Sequence, residues 1–156
     1  MQKLERVLTQ WTGLIPQFEL CNTNVSQASV GWHIAHSCLV INSIVGALKK
    51  SNPADYRWKF SLSYLYVTLR GSFPRGRGKA PERVIPMGEI NPDILNGLIT
   101  KSLNALNEIP GLPKDAHFKH PLFGLLNKKS TIHFLEIHSN HHTKIMKDII
   151  RQTIKA

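Results

Sequence analysis

TIHFLEIHSNHHTKIMKDII, residues 131–150, sets Thr131, Leu135, His138, His142, Ile145 and Ile149 at steps of four, three, four, three and four. That rhythm keeps all six on one stripe of an α-helix, and a stripe so rich in aliphatic side chains faces a core. One long final helix is therefore predicted, from about Lys128 to Thr153. It carries two imidazoles inside an apolar seam, where ring nitrogens without partners are costly.

His138 and His142 are one helical turn apart, so both rings can aim at a common atom. His141 is displaced from His142 by about 100° around the helix and is expected to flank the site instead. His133 lies about 140° from His138 and is expected to be exposed. A second pair stands in Trp32-His33-Ile34-Ala35-His36, inside the other strongly apolar segment. Either ring can face inward; His36 is preferred because it lies deeper in the apolar run, between the small residues Ala35 and Ser37. His36, His138 and His142 would then form a three-histidine site of the kind that leaves a divalent ion an open position.

Working outward, a first helix is expected over Gln2 to about Thr12, with Leu4, Val7, Leu8 and Trp11 on one face. The second begins at Ser26 or Ser29, each a suitable N-cap, and runs through Leu48 to a stop at Asn52-Pro53. Tyr56 to about Leu69 mixes period-two alternation with aromatic and β-branched residues. A lone strand there would leave its backbone groups unpaired, so an irregular helix is predicted. Gly71 to Met87 holds three glycines and three prolines before Gly88 and reads as a long loop. From Asn91, with Pro92 at the first position, a helix follows with Ile94, Leu95, Leu98, Ile99, Leu103 and Leu106 along one side. Gly111 to Gly124 is expected to be a second proline-containing loop, in which His120, just before Pro121, has a loop-stiffening or packing role. No paired strand signal is evident. The prediction is one all-α domain over residues 1–156, a four-helix bundle with long irregular loops.

With 156 residues, 42% of them hydrophobic, the chain can bury a core without disulfides or an obligate metal. Cys21 and Cys38 are its only cysteines, with no CxxC pair, and are expected to be reduced thiols. The N-terminus does not read as a secretory signal, and Ile34 to Leu48 falls short of the ~20 residues of a membrane span. A cytoplasmic protein with no membrane partner is expected. Twenty Lys plus Arg against ten Asp plus Glu give a net charge of +10, which favours polyanions. Most of the cations are scattered, however, with one concentration from Arg70 to Arg83, and no nucleic-acid-binding motif accompanies them. Nucleic acid is disfavoured as a partner.

The acids narrow the metal chemistry. A dinuclear carboxylate bundle needs several inward Glu residues and Glu-x-x-His pairs, and the chain has ten acids in all. HExxH is absent, and Glu136 turns away from the histidine stripe. What remains is a mononuclear centre suited to zinc, nickel or a related ion, able to lower the pKa of bound water or a bound thiol.

Three stretches resemble the DinB-like (YfiT-like) family of metal-binding helical bundles. Ser29-Val-Gly-Trp-His-Ile-Ala-His36 is similar to the second-helix motif, in which a Ser and a Trp precede the ligand histidine. His120-Pro-Leu-Phe-Gly124 resembles the segment leading into the last helix. His138-Ser-Asn-His-His142 matches His-x-x-His-His, whose first and last histidines are ligands. The middle of the chain, including Pro74-Arg-Gly-Arg-Gly-Lys-Ala-Pro81, resembles a branch whose members are mostly domains of unknown function.

The resemblance implies His36, His138 and His142 as the metal triad, an up-down-down-up type bundle and often a homodimer. Some relatives are S-transferases that use a low-molecular-weight thiol, and others are described as hydrolases. A small-molecule substrate is thus implied, with Arg75, Arg77 and Lys79 as candidate contacts to the carboxylates of a cosubstrate. The rival expectation is a non-catalytic module whose basic surface binds a polyanion such as nucleic acid.

Overall fold

The computed structural model describes residues 1–75 and 80–154. Five α-helices make up most of it: α1 (Gln2–Thr12), α2 (Val30–Lys50), α3 (Leu62–Arg70), α4 (Pro92–Glu108) and α5 (Lys128–Ile154). α2 packs on both α4 and α5, and α1 closes a ring against the same two helices. The core runs down the middle of this ring, through Leu4, Leu8 and Trp11, Ile34 and Ile41, Leu95, Ile99 and Leu106, and Leu135, Met146 and Ile149. Each such fully buried aliphatic side chain contributes about 1.5–3 kcal/mol relative to exposure.

Local sequence explains where these helices start and stop. Ser29 caps α2 by accepting the Trp32 N–H at 3.2 Å, while Lys49 and Lys50 occupy its last turn, so the cap is Ser29 and not Ser26. Asn91 accepts the Ile94 N–H ahead of Pro92 in α4. Along α4, Leu95, Ile99 and Leu106 are buried, whereas Ile94, expected on the same side, is 43% exposed. Trp11 and Thr143 join α1 to α5 through an Nε1–H···Oγ1 bond of 2.8 Å.

α2 spans 21 residues and contains an 18-residue window with a mean hydropathy of 1.3, enough by length and composition for a membrane span, but most of that window is buried within the protein.

Two expectations need correction. The helix expected over Tyr56 to Leu69 forms only from Leu62 to Arg70, because Ser61 caps it there and Tyr56 to Phe60 are not helical. The stretch Gly111 to Gly124 is not all loop. His117–His120 (β1) and Gly124–Asn127 (β2) pair antiparallel, with Phe118 opposite Leu126 and His120 opposite Gly124. The three-residue turn is possible because Gly124 takes φ +75°, a left-handed conformation that costs glycine little. Phe118 and Leu126, both buried, fasten the hairpin to the core. β2 then runs directly into α5, where the Asn127 side chain accepts the Ser130 N–H.

Candidate metal centre

α2 and α5 lie side by side and bring the two histidine pairs together. One nitrogen from each of His36, His138 and His142 lies within 4.8 Å of the others, so these three residues could hold a metal ion. Their ring centroids are 4.5–5.4 Å apart. No carboxylate joins the group among the described residues. Asp148 is engaged by Arg75 and Arg151, and Glu136 faces the 46% exposed His133.

Each ring is held differently. His36 Nδ1 lies 2.8 Å from the Val84 carbonyl, which can only accept, so the proton of the neutral ring sits on Nδ1 and Nε2 is left bare. Trp32 stacks on the same ring at 4.9 Å, fixing its plane. His142 Nδ1 is 3.0 Å from Nδ1 of His33, which commits that nitrogen and leaves Nε2 for a ligand role. Among the described residues, His138 Nδ1 is buried without a hydrogen-bond partner. An unpartnered buried nitrogen is expensive in an apolar setting, and a bound cation beside the ring would change that setting.

The rings are held neutral. Burial, reinforced by the neighbouring imidazoles, places His138 and His142 well below the usual histidine value near 6.5. Burial lowers His36 as well, against the opposing effect of its bond to Val84. Neutral imidazole is the form that binds a metal, so the cluster needs little proton release to do so near pH 7.

His141 stays outside the triad, as its displacement around the helix predicts. It stands half-buried against Phe73 and His142, with its pKa lowered to about 4, chiefly by burial and then by Arg75 and Lys144. His33, passed over in favour of His36, is nevertheless buried and touches the triad through His142. His120 packs face to face on Phe123 at 4.1 Å and accepts the Leu122 and Phe123 N–H groups, the stiffening role expected of it.

The long loop meets the site at both ends. Phe73 sets its ring edge-on to His138 and His141, and Val84 supplies the carbonyl that holds His36. No signal in the sequence picks out Phe73 or Val84 for these roles, since Phe73 lies in irregular backbone and Val84 ends a single 3₁₀ turn, Glu82–Val84, too short to carry a periodic pattern. Of the three cations expected to contact a cosubstrate, Arg75 is bonded to Asp148 at 2.7 Å, yet its side chain remains 45% exposed. Arg77 and Lys79 lie outside the described residues. Two surface hollows of about 360 and 440 Å³ flank α2 around Asn42 and Gly46, and neither is lined by a histidine.

No protein-family model matches this chain, and no curated protein or solved structure matches it.

Proposed function

We propose that this protein is a metal-dependent enzyme of the DinB-like class, built on a four-helix bundle of α1, α2, α4 and α5. It acts on a small molecule at a mononuclear His36–His138–His142 centre. The observation that carries this reading is the convergence of three neutral imidazoles, from two helices, with no carboxylate among them. Such a donor set suits zinc or nickel. When bound, the ion would supply Lewis acidity that lowers the pKa of a coordinated thiol or water and so provides a nucleophile at neutral pH.

The chain's own residues supply the surroundings. Phe73, Phe134 and Trp32 make the walls beside the triad apolar, which favours exclusion of bulk water. Arg75 offers an exposed guanidinium near enough to His33 and His141 to lower both. A carboxylate on a low-molecular-weight thiol would find its counter-charge there. S-transfer from such a thiol is thus the preferred activity, and hydrolysis the alternative.

Elemental analysis of protein purified without an affinity tag tests the metal, with zinc or nickel expected near one per chain. Conjugation of monobromobimane or a chlorinated aromatic to each candidate thiol, with and without added Zn²⁺ or Ni²⁺, tests the reaction. Metal-dependent conjugation that disappears in His142→Ala is the expected result. Absence of metal, or conjugation indifferent to it, refutes the proposal. Salt-sensitive DNA retention that survives His36→Ala and His142→Ala, without turnover, would favour a polyanion-binding module instead.

A further inference from the structure

We infer that His33 is a positioning residue for the metal centre: through a hydrogen-bonded line from Ser26 to His33 to His142, it holds the His142 ring by Nδ1 and offers that nitrogen the acceptor it needs when Nε2 binds a metal. This rests on the metal reading above and assigns part of that site's control to a residue outside the triad.

The geometry is a chain of two contacts. His142 Nδ1 and His33 Nδ1 are 3.0 Å apart, and the other nitrogen of His33, Nε2, is 3.0 Å from Ser26 Oγ. Both rings are buried, so water does not readily replace either partner. Two facing ring nitrogens at this distance share one proton, with one donating and the other accepting. A metal on Nε2 of His142 needs the lone pair there, which puts the His142 proton on Nδ1. That N–H must donate to His33 Nδ1. The proton of neutral His33 is then on Nε2, from which it donates to Ser26 Oγ. Ser26 is itself anchored at this point, because the same oxygen accepts the Ala28 N–H at 3.1 Å.

The opposite arrangement is equally well bonded but incompetent. With the Ser26 hydroxyl donating to His33 Nε2, His33 would donate from Nδ1 to His142 and leave the His142 proton on Nε2, where it blocks the ligand position. His36 has no such ambiguity, since the Val84 carbonyl can only accept. The His33 contact is therefore the adjustable one, and metal binding selects one of its two proton arrangements. Partners of this kind around ligand histidines typically change metal affinity by about 10- to 100-fold when removed.

Co²⁺ titration followed by visible absorption tests this in the full-length chain. His33→Leu, close to isosteric and checked for folding by circular dichroism, is expected to weaken Co²⁺ binding by about 10- to 100-fold. At saturation it should keep the wild-type band positions. His33→Asn returns a carbonyl oxygen near the Nδ1 position and should recover affinity to within a few-fold. In the zinc-loaded wild type, ¹⁵N spectra should show His142 protonated at Nδ1 and His33 at Nε2. Wild-type affinity in His33→Leu, or the reverse pair of tautomers, overturns this inference while leaving the metal centre standing. Shifted bands at saturation would make His33 a ligand and overturn it too. A wild-type chain that binds no Co²⁺ removes the metal reading, and this inference with it.

Discussion

Lowering the pH from 7.5 to 5 should destabilise the metal-free protein strongly, and His120 lets one share of the loss be isolated. Its Nδ1 accepts two backbone N–H groups at 3.1 and 3.3 Å, and burial lowers its pKa to about 4. In the unfolded chain the same ring titrates near its ordinary value of 6.5. Between those values the unfolded state carries a proton that the native state does not, so stability rises with pH there and is lost as the pH falls from about 6.5 towards 4. At pH 5 the cost from this one ring is about 2 kcal/mol, a sizeable part of a typical 5–15 kcal/mol. His33, His36, His138 and His142 are all lowered in the same direction and deepen the loss. Urea unfolding at a series of pH values, with a chelator present, measures the total. In His120→Phe the two accepted hydrogen bonds are lost at every pH, but the difference between pH 7.5 and pH 5 should shrink by about 2 kcal/mol. An unchanged pH dependence in that variant, or a wild type equally stable at both values, would refute the reasoning.

Three further outcomes can be checked. A Cβ on Gly31 would meet Ile90 Cγ2 at 3.0 Å and the Phe18 carbonyl at 3.1 Å, whereas one on Gly46 meets nothing within 4 Å. Gly31→Ala should therefore cost about 1–3 kcal/mol. Gly46→Ala, inside the same helix, should add about 0.5–1 kcal/mol; urea midpoints that move together would contradict both. Cys38 is buried with its pKa pushed up to about 12, and Cys21 is exposed, so a thiol reagent should label one cysteine in the native protein and two after unfolding. Leu62, Leu65, Tyr66 and Leu69 make an exposed i, i+3, i+4, i+7 stripe on α3, with Trp58, Phe60 and Leu122 also exposed and Leu122 tied to α3 through Ser63. At about 200 Å² for a fully exposed large side chain the α3 stripe alone presents about 500 Å², at the upper end of a monomer's usual largest patch and of the size that marks an interaction face. Light scattering should therefore give twice 17.6 kDa, and Leu69→Glu a monomer; a monomeric wild type at high concentration would refute the dimer.

Elements whose burial repeats with their own period were legible in the sequence. The α5 stripe is an instance: five of its six residues are buried and the sixth, His138, is half-buried. α4 was legible at its start, where Asn91 caps it ahead of Pro92, and α2 at its start to within the choice of two serines, whereas the Ser61 cap of α3 was hidden among neighbouring serines. The hairpin was not, because four-residue strands give alternation too little length to register and its turn depends on the backbone of one glycine. α3 was half legible. Its outward face is as apolar as a core face, with Val67 its one buried residue, so pattern alone could not say which way it turns.

The choice between His33 and His36 shows a deeper limit. Periodicity assigns direction only on a helix with a wet side, and α2 is buried around nearly its whole circumference, both histidines included. Direction therefore cannot separate a candidate ligand from its neighbour there. What separates them is the company of the second ring nitrogen. In His36 it meets a carbonyl 48 positions away in a single 3₁₀ turn, and in His33 both nitrogens are already taken, one by Ser26 and one by a ring 109 positions along the chain. Such partners leave no trace in helical spacing. A histidine pair on a helix buried nearly all round therefore marks only where polar rings must find partners, and the hydrogen bonds behind each ring mark which one has a nitrogen left to offer.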